Sequence, residues 1–208
     1  MSATGNLYII SAPSGAGKSS LVKALLAQDP QACVSVSHTT RSMRPGEVDG
    51  VDYNFVDQDA FSQLVDSQQM LEYATVFGNS YGTSKTWVEA AMAAGKDVIL
   101  EIDWQGRDQV LALIPTAVAI TILPPSQAAL QERLAGRGTD SDDVIAKRMA
   151  EAESEMGQYP QSHYLIINDD FATALAELAG IFAVERLKTP RQSQKHQQLL
   201  ADLLPNGG

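Results

Sequence analysis

Four apolar residues, Leu7-Tyr8-Ile9-Ile10, run directly into Ser11-Ala12-Pro13-Ser14-Gly15-Ala16-Gly17-Lys18-Ser19-Ser20, and an amphipathic segment follows. The apolar run reads as a buried strand. Leu21, Val22, Leu25 and Leu26 fall on one face of a helix that Asp29-Pro30 ends. A strand, a Gly-rich turn and a helix in that order aim backbone N–H groups inward at an anion, and the helix start adds its positive end. In Gly17-Lys18-Ser19 the lysine is spaced to reach the β/γ phosphates of a nucleoside triphosphate, and the serine hydroxyl to face Mg2+. Ala12 stands at the opening position usually held by glycine, which a methyl group tolerates if φ stays negative. Such a loop belongs on an α/β sheet. It leaves open whether the chain is a hydrolase, a switch or a kinase.

The rest of the chain continues the alternation. Val98-Ile99-Leu100, Ala117 to Leu123 and Tyr164-Leu165-Ile166-Ile167 read as further buried strands, with helical patterns near 84–94 and 171–188. Ser126 and Ser141 are N-cap candidates for two more helices, which Gly136-Arg137-Gly138 separates; Asp142 and Asp143 suit the first turn of the second. Residues 37–90 differ. Val51, Tyr53 and Phe55 alternate with Asp52 and Asn54, as do Leu71 and Tyr73 with Glu72 and Ala74, and Phe61, Leu64, Val65 and Gln68 suggest a short helix. This stretch reads as a small α+β insertion in a parallel, helix-covered sheet.

Charge narrows the partners. With 208 residues and a formal charge of −10, the surface as a whole is a poor match for nucleic acid or an anionic membrane, so the few cations must gather to bind an anion. No apolar run approaches the ~20 residues that span a bilayer, and Met1 to Asn6 does not read as a signal peptide. A lone Cys33 makes no internal disulfide, suits a reducing cytoplasm and reads as packing. The three histidines have no spacing for a metal or a triad.

Three charge clusters remain. Arg41 and Arg44, before Pro45-Gly46, suit a bidentate oxyanion site, with Tyr53 and Tyr81 as phenolic donors; alone, they also suit a solvated turn. Glu101 and Asp103 close a probable central strand at its carboxyl end, where ligands bind in open α/β sheets. There an acid could hold Mg2+ directly or through water, or orient a basic group. Arg133, Arg137 and Arg148 could close over phosphates on a helical hairpin or pair with Glu132 and Glu151.

Taken in order, these segments resemble a known family. Ser11–Ser20, Thr39-Thr40-Arg41-x-x-Arg44-Pro45-Gly46-Glu47, Asp49-Gly50-Val51-Asp52-Tyr53-x-Phe55, Phe77-Gly78-Asn79-x-Tyr81-Gly82-Thr83, Glu101-Ile102-Asp103-x-Gln105-Gly106, Leu123-Pro124-Pro125-Ser126, Arg133-Leu134-x-x-Arg137-Gly138 and Ile167-Asn168-Asp169 resemble guanylate kinases in their bacterial form. The match runs from about residue 6 to 188. It implies an α/β fold: a P-loop core with a mostly parallel sheet flanked by helices (about 1–36, 84–125 and 158–208), a GMP-binding insertion (about 37–83) and a helical lid (about 126–157). It implies Mg2+-dependent phosphoryl transfer from ATP to GMP, with dGMP as an alternative acceptor, in a cytoplasmic monomer or homo-oligomer.

The roles implied by the resemblance follow residue by residue. Ser11, Ala12, Pro13, Ser14, Gly15, Ala16, Gly17, Lys18, Ser19 and Ser20 cradle ATP, and Ser19 faces the metal. Arg133 and Asn168 lie near the ATP end. Ser37, Glu72 and Thr83 meet guanine; Arg41, Arg44, Tyr53 and Tyr81 hold the GMP phosphate; Glu101 and Asp103 lie beside GMP and the metal. Lys18, Arg41, Arg137 and Arg148 serve the transferring group. Ser162-His163-Tyr164 departs from the family's Tyr-Asp-Tyr, and residues 189–208 lie beyond the match, with Leu199, Leu200, Leu203 and Leu204 as a stripe for packing or self-association. The rivals are a non-catalytic binding module, which needs neither the loop nor the arginines, and a kinase for another acceptor.

Overall fold

The computed structural model describes residues 3–76, 78–135 and 142–204, with backbone alone for 142–146. Its centre is β1 (Leu7–Ser11), buried along its whole length. After the loop comes α1 (Lys18–Gln28), then β2 (Ala32–Val34), and β3 (His38–Thr39) and β4 (Asn54–Phe55), which are two residues each. There follow α2 (Gln58–Asp66), β5 (Met70–Val76), β6 (Asn79–Ser84), α3 (Lys85–Ala93), β7 (Asp97–Leu100), α4 (Trp104–Leu113) and β8 (Val118–Leu123). The chain ends with α5 (Gln127–Ala135), α6 (Asp142–Met156), β9 (Tyr164–Ile167), α7 (Phe171–Arg186), α8 (Thr189–Lys195) and α9 (Gln197–Leu203).

Five strands form a parallel sheet in the order β2-β7-β1-β8-β9. The two-residue period of β1 divides the core. Tyr8 and Ile10 face Leu21, Val22 and Leu25 of α1 and Leu178 and Phe182 of α7; Leu7 and Ile9 face Val88 of α3 and Val110 of α4. The Tyr8 ring stacks on Phe182 with centroids 3.7 Å apart. Because the strands are parallel, every connection leaving a carboxyl end lands on one edge, and that edge carries the phosphate loop, Glu101 and Asp103.

A second sheet, in the order β4-β3-β6-β5, carries the inserted segment. It differs from the expected alternation in two places. Val51 lies in a turn and is 68% exposed. Asp52 accepts from the Val48 N–H, Asp49 from the Phe55 N–H, and Gly50 donates to the Tyr53 carbonyl. Side chains that satisfy backbone groups locally compete with a ladder, so only Asn54–Phe55 remains strand. In β5, a register shift between Met70 and Glu72 turns Leu71 and Glu72 both inward and leaves Tyr73 exposed. The α5–α6 hairpin has a small core of its own, Leu130, Leu134 and Ala152. The sequence pattern gave no helix at α4, which begins where Asp103 caps it by accepting from the Gly106 N–H. Ser141 and Arg137 lie outside the described residues.

The opposite edge of the sheet holds a buried ion cluster. Asp97, fully buried at the start of β7, accepts from the Asn6 N–H, from Arg186 Nε and from Arg191 of α8. Arg186 also pairs with Asp29, and Glu185 takes Tyr164 Oη–H and Lys188. The tail is therefore tied down by Arg191, while Leu199, Leu200, Leu203 and Leu204 stay exposed. Removing one partner of a buried pair strands the other charge. Arg191→Met, or truncation before Thr189, should lower the unfolding free energy by about 3 kcal/mol. Truncation before Gln197 should change it by less than about 0.5 kcal/mol. Urea unfolding separates the cases; equal losses from both truncations would make the leucines the anchor.

Candidate active site

The phosphate loop is built by two glycines and one buried amide. Gly15 and Gly17 both sit at φ 93°, and the Ala16 N–H donates to the Pro13 carbonyl at 3.1 Å. A Cβ on Gly17 would come within 2.3 Å of Asn168 Nδ2, which donates to the Ala16 carbonyl at 2.7 Å. Any side chain at 17 would thus meet both a backbone penalty and a collision. Ala12 lies outside the positive-φ region. Ser11 donates its hydroxyl proton to the Ile102 carbonyl at 2.9 Å, tying the loop to the neighbouring strand end.

A cleft of about 540 Å3 opens above this loop. Ala12, Pro13, Ser14, Gly15, Gly17, Lys18, Ser19 and Ser20 line one end. Ser37, Arg41, Arg44, Tyr53, Glu72 and Tyr81 line the other, and Glu101, Asp103 and Arg148 lie along it too. Five of the expected residues lie outside the lining. Ser11 and Ala16 shape the loop from within. Asn168 is buried beneath it, and its carbonyl accepts from Arg133 Nη2 at 3.0 Å, so that pair braces the loop rather than facing the cleft. Thr83, fully buried, donates to Glu72 Oε1 at 2.6 Å.

Two of the cationic groups in the cleft, Arg41 and Lys18, face acids. Arg41 makes a two-pronged contact with Glu47, at 2.7 and 3.1 Å, and its guanidinium lies 5.3 Å from the Tyr53 ring centre. Glu47 also accepts from the Arg44 N–H at 2.7 Å. The Arg41 hydrogen bonds, and then the Arg44 amide, hold its carboxyl below the usual range. Glu47 stood in the quoted motif without a role; the distance of six residues from Arg41 hides the contact. Burial lowers the Lys18 ammonium against the opposing pull of Glu101, Glu155 and Asp103. Ser19 donates to Glu101 Oε2 at 2.9 Å. Arg148 Nη2 donates to Ser14 Oγ at 2.8 Å, which brings α6 onto the loop.

Glu72 is the acid without a cation. It is 4% exposed, and burial pushes its carboxyl up to about 7, with Thr83 opposing and Asp103 adding to the rise. Gly106 makes room for it: a Cβ there would stand 2.5 Å from Glu72 Oε2. The raised value has a sign. Between about 4.5 and 7 the folded protein holds a proton that the unfolded chain releases, so the fold weakens as pH rises through that window.

The departure at Ser162-His163 is absorbed at the sheet edge. His163 Nδ1 accepts from the Ala119 N–H at 2.9 Å, and Ser162 and Thr121 share a hydroxyl contact at 2.7 Å. Cys33, half-buried, packs against the core, and burial raises its thiol.

Comparison with known proteins gives one consistent answer. A family model described as guanylate kinase matches residues 4–185. Guanylate kinase of Saccharophagus degradans is 56% identical over 204 residues, 98% of this chain and 100% of its own. That of Pseudomonas fluorescens is 59% identical over 201 residues, 97% and 98% of the two chains. The crystal structure of guanylate kinase from Anaplasma phagocytophilum superposes with a TM-score of 0.81 at 30% identity, over 100% of this chain and 99% of that one.

The pH argument makes a prediction that needs no substrate. Glu72→Gln removes a buried charge but keeps an oxygen for Thr83, so it should stabilise the empty protein at pH 8 by up to about 3 kcal/mol. The gain should fall to about 1 kcal/mol or less at pH 5 and vanish below about pH 4. Chemical denaturation at the two pH values measures it; a gain independent of pH would assign the effect to packing.

Proposed function

The chain belongs to the guanylate kinase family, and from that premise we infer that it transfers the γ-phosphoryl group of ATP to GMP, giving ADP and GDP. The observation that carries this reading is a single cleft with Lys18 lining one end and a buried, uncharged-partnered carboxylate, Glu72, lining the other. The two ends suit two nucleotides meeting at their phosphates.

The acceptor is a phosphate oxygen, whose second pKa near 6 leaves it largely anionic at neutral pH. No general base is needed. The work is to bring two polyanions together in line and to neutralise their charge. In this proposal the loop N–H groups and Lys18 hold the ATP phosphates, and Arg41, Arg44, Tyr53 and Tyr81 hold the GMP phosphate. Arg148 reaches the transferring group from α6, and Arg137 is assigned the same task from the resemblance alone. Arg133 and Asn168 keep the loop in shape.

A carboxylate at Glu72 accepts from both guanine N1–H and N2–H2, while Ser37 lines the same end of the cleft and Thr83 holds Glu72 in place. Adenine offers a lone pair at N1 and no 2-amino group, so it would leave Glu72 buried and unpaired. The same contacts serve dGMP, which is expected to replace GMP.

The donors near the loop end are hard oxygens, Ser19 Oγ and the Glu101 and Asp103 carboxylates, the type that Mg2+ prefers. Among the described residues no group of three or more His, Cys, Asp or Glu is placed to hold a metal by itself. Ser19, with Glu101 or Asp103 through water, would therefore share Mg2+ with the nucleotide's own phosphates. Bound there, the ion would neutralise charge on the β and γ oxygens. No helix among the described residues is long and apolar enough to cross a membrane, and we place the enzyme in the cytoplasm, with its substrates.

The experiment is ADP release from Mg·ATP against GMP, dGMP, AMP, CMP and UMP. Turnover with GMP and dGMP alone is expected; GMP binding without turnover would favour a binding module, and preference for another base would mean that the pocket is misread. Glu72→Gln should raise the KM for GMP by about 10²-fold or more with the KM for ATP within about twofold. Lys18→Met should lower kcat by at least about 10²-fold. Equal losses toward both substrates in the Glu72 variant would remove it from base recognition.

A further inference from the structure

Glu155 has no part in the chemistry above, yet it lines the same cleft as Lys18. It stands one residue before the end of α6. Burial pushes its carboxyl up to about 7, with Lys18 pulling the other way and Asp103 and Glu151 adding to the rise. It also borders a second, small cavity of about 20 Å3, shared with Asp103, Arg107 and Gln158. That is room for about one water molecule.

Arg107 faces this cavity from α4. It is 1% exposed, and its Nη1 donates to the Gln158 carbonyl at 2.8 Å, just past the end of α6. Its Nε donates to Asp108 Oδ1 at 2.9 Å. Its Nη2, 2.8 Å from the same oxygen, is buried without a hydrogen-bonding partner. That group is ion-paired at one oxygen but makes no aligned hydrogen bond, and a buried donor left so calls for an explanation.

The two features meet in an exchange of partners. With the cleft empty, Lys18 is the cation that attracts Glu155. ATP at the loop takes Lys18 for its phosphates, and Glu155 is then an unpaired carboxylate facing a polyanion. Arg107, whose Nη2 lacks a hydrogen-bonding partner, borders the same cavity as Glu155. We propose that Glu155 is a positioning residue, holding Lys18 while the site is empty and passing to Arg107 Nη2 when ATP arrives, so that nucleotide occupancy fixes the root of α6. Arg148 lies two helical turns back on that helix and contacts Ser14 of the loop. Fixing the root sets the approach of that arginine to the transferring group. The proposal rests on the reading above for ATP as the donor.

The test splits binding from turnover. In Glu155→Gln, a non-hydrolysable ATP analogue should bind as tightly as in the wild type or up to several-fold tighter, because Lys18 is no longer contested. With GMP as acceptor, kcat should fall by about tenfold, with the KM for GMP within about twofold. Arg107→Lys keeps the charge and the stem, and should show the same kcat loss. If both act through one contact, the double variant should lose no more than either single variant. Unchanged kcat in Glu155→Gln, analogue binding weakened tenfold, or additive losses in the double variant would each overturn the proposal. A wild-type enzyme inactive with GMP would instead overturn the acceptor assigned above, and the analogue titration would still judge the Lys18 contact.

Discussion

The cleft is held together by carboxylates that occupy cations before any phosphate is present. Glu47 grips Arg41 with two oxygens, and Glu101, Glu155 and Asp103 attract Lys18. Without these acids, the cations gathered at one sheet edge would repel each other and splay. With them, the site is ordered when empty, and a bound phosphate exchanges one anionic partner for another rather than ordering loose side chains. That keeps the ordering entropy of binding low. It also explains how a chain of charge −10 can bind polyanions: the acids sit where they organise the cations, not only where they confer solubility.

Glu72 obeys the opposite logic. It has no cation and is buried against Thr83 and the bare backbone of Gly106. Its proton is held to about pH 7 because burial outweighs the support that Thr83 gives the charge. A base that donates two hydrogen bonds would supply that support, and one that presents an acceptor would not. Discrimination of this kind needs a site that is unfavourable when empty. The stability forgone at Glu72 and the selectivity expected of it are two aspects of one buried carboxylate.

How far the sequence could be read follows from how local each feature is. The strand, phosphate loop and helix form one continuous segment whose glycines and lysine define its geometry, so Leu7 to Gln28 was legible throughout. The α4 helix was not, because its start rests on the Asp103 cap and its face on contacts with β1 and β5. The strand expected at Val51 failed for a related reason: Asp49 and Asp52 satisfy backbone groups within six residues, and the hydrophobic period carries no trace of that. Glu47, Asn168 and Glu155 act through partners 6, 152 and 137 positions away. A single sequence displays their residue types but not their pairing.

The two edges of the sheet show why similar chemistry serves stability in one place and function in the other. At the amino edge, Asp97 is enclosed by the Asn6 amide, Arg186 and Arg191, and every partner is provided by the chain itself. Nothing from solution can replace them without stranding a charge, so the cluster is a fixed tie between the tail and the core. At the carboxyl edge the same kinds of group are paired incompletely. Lys18 is attracted by three acids without an ion pair to any of them among the described residues, and Glu72 lacks a cation. Each incomplete pairing is a position where a phosphate, a base or a moving carboxylate can lower the energy. The parallel sheet separates the two sets by the length of its strands, so exchange at one edge leaves the ties at the other intact.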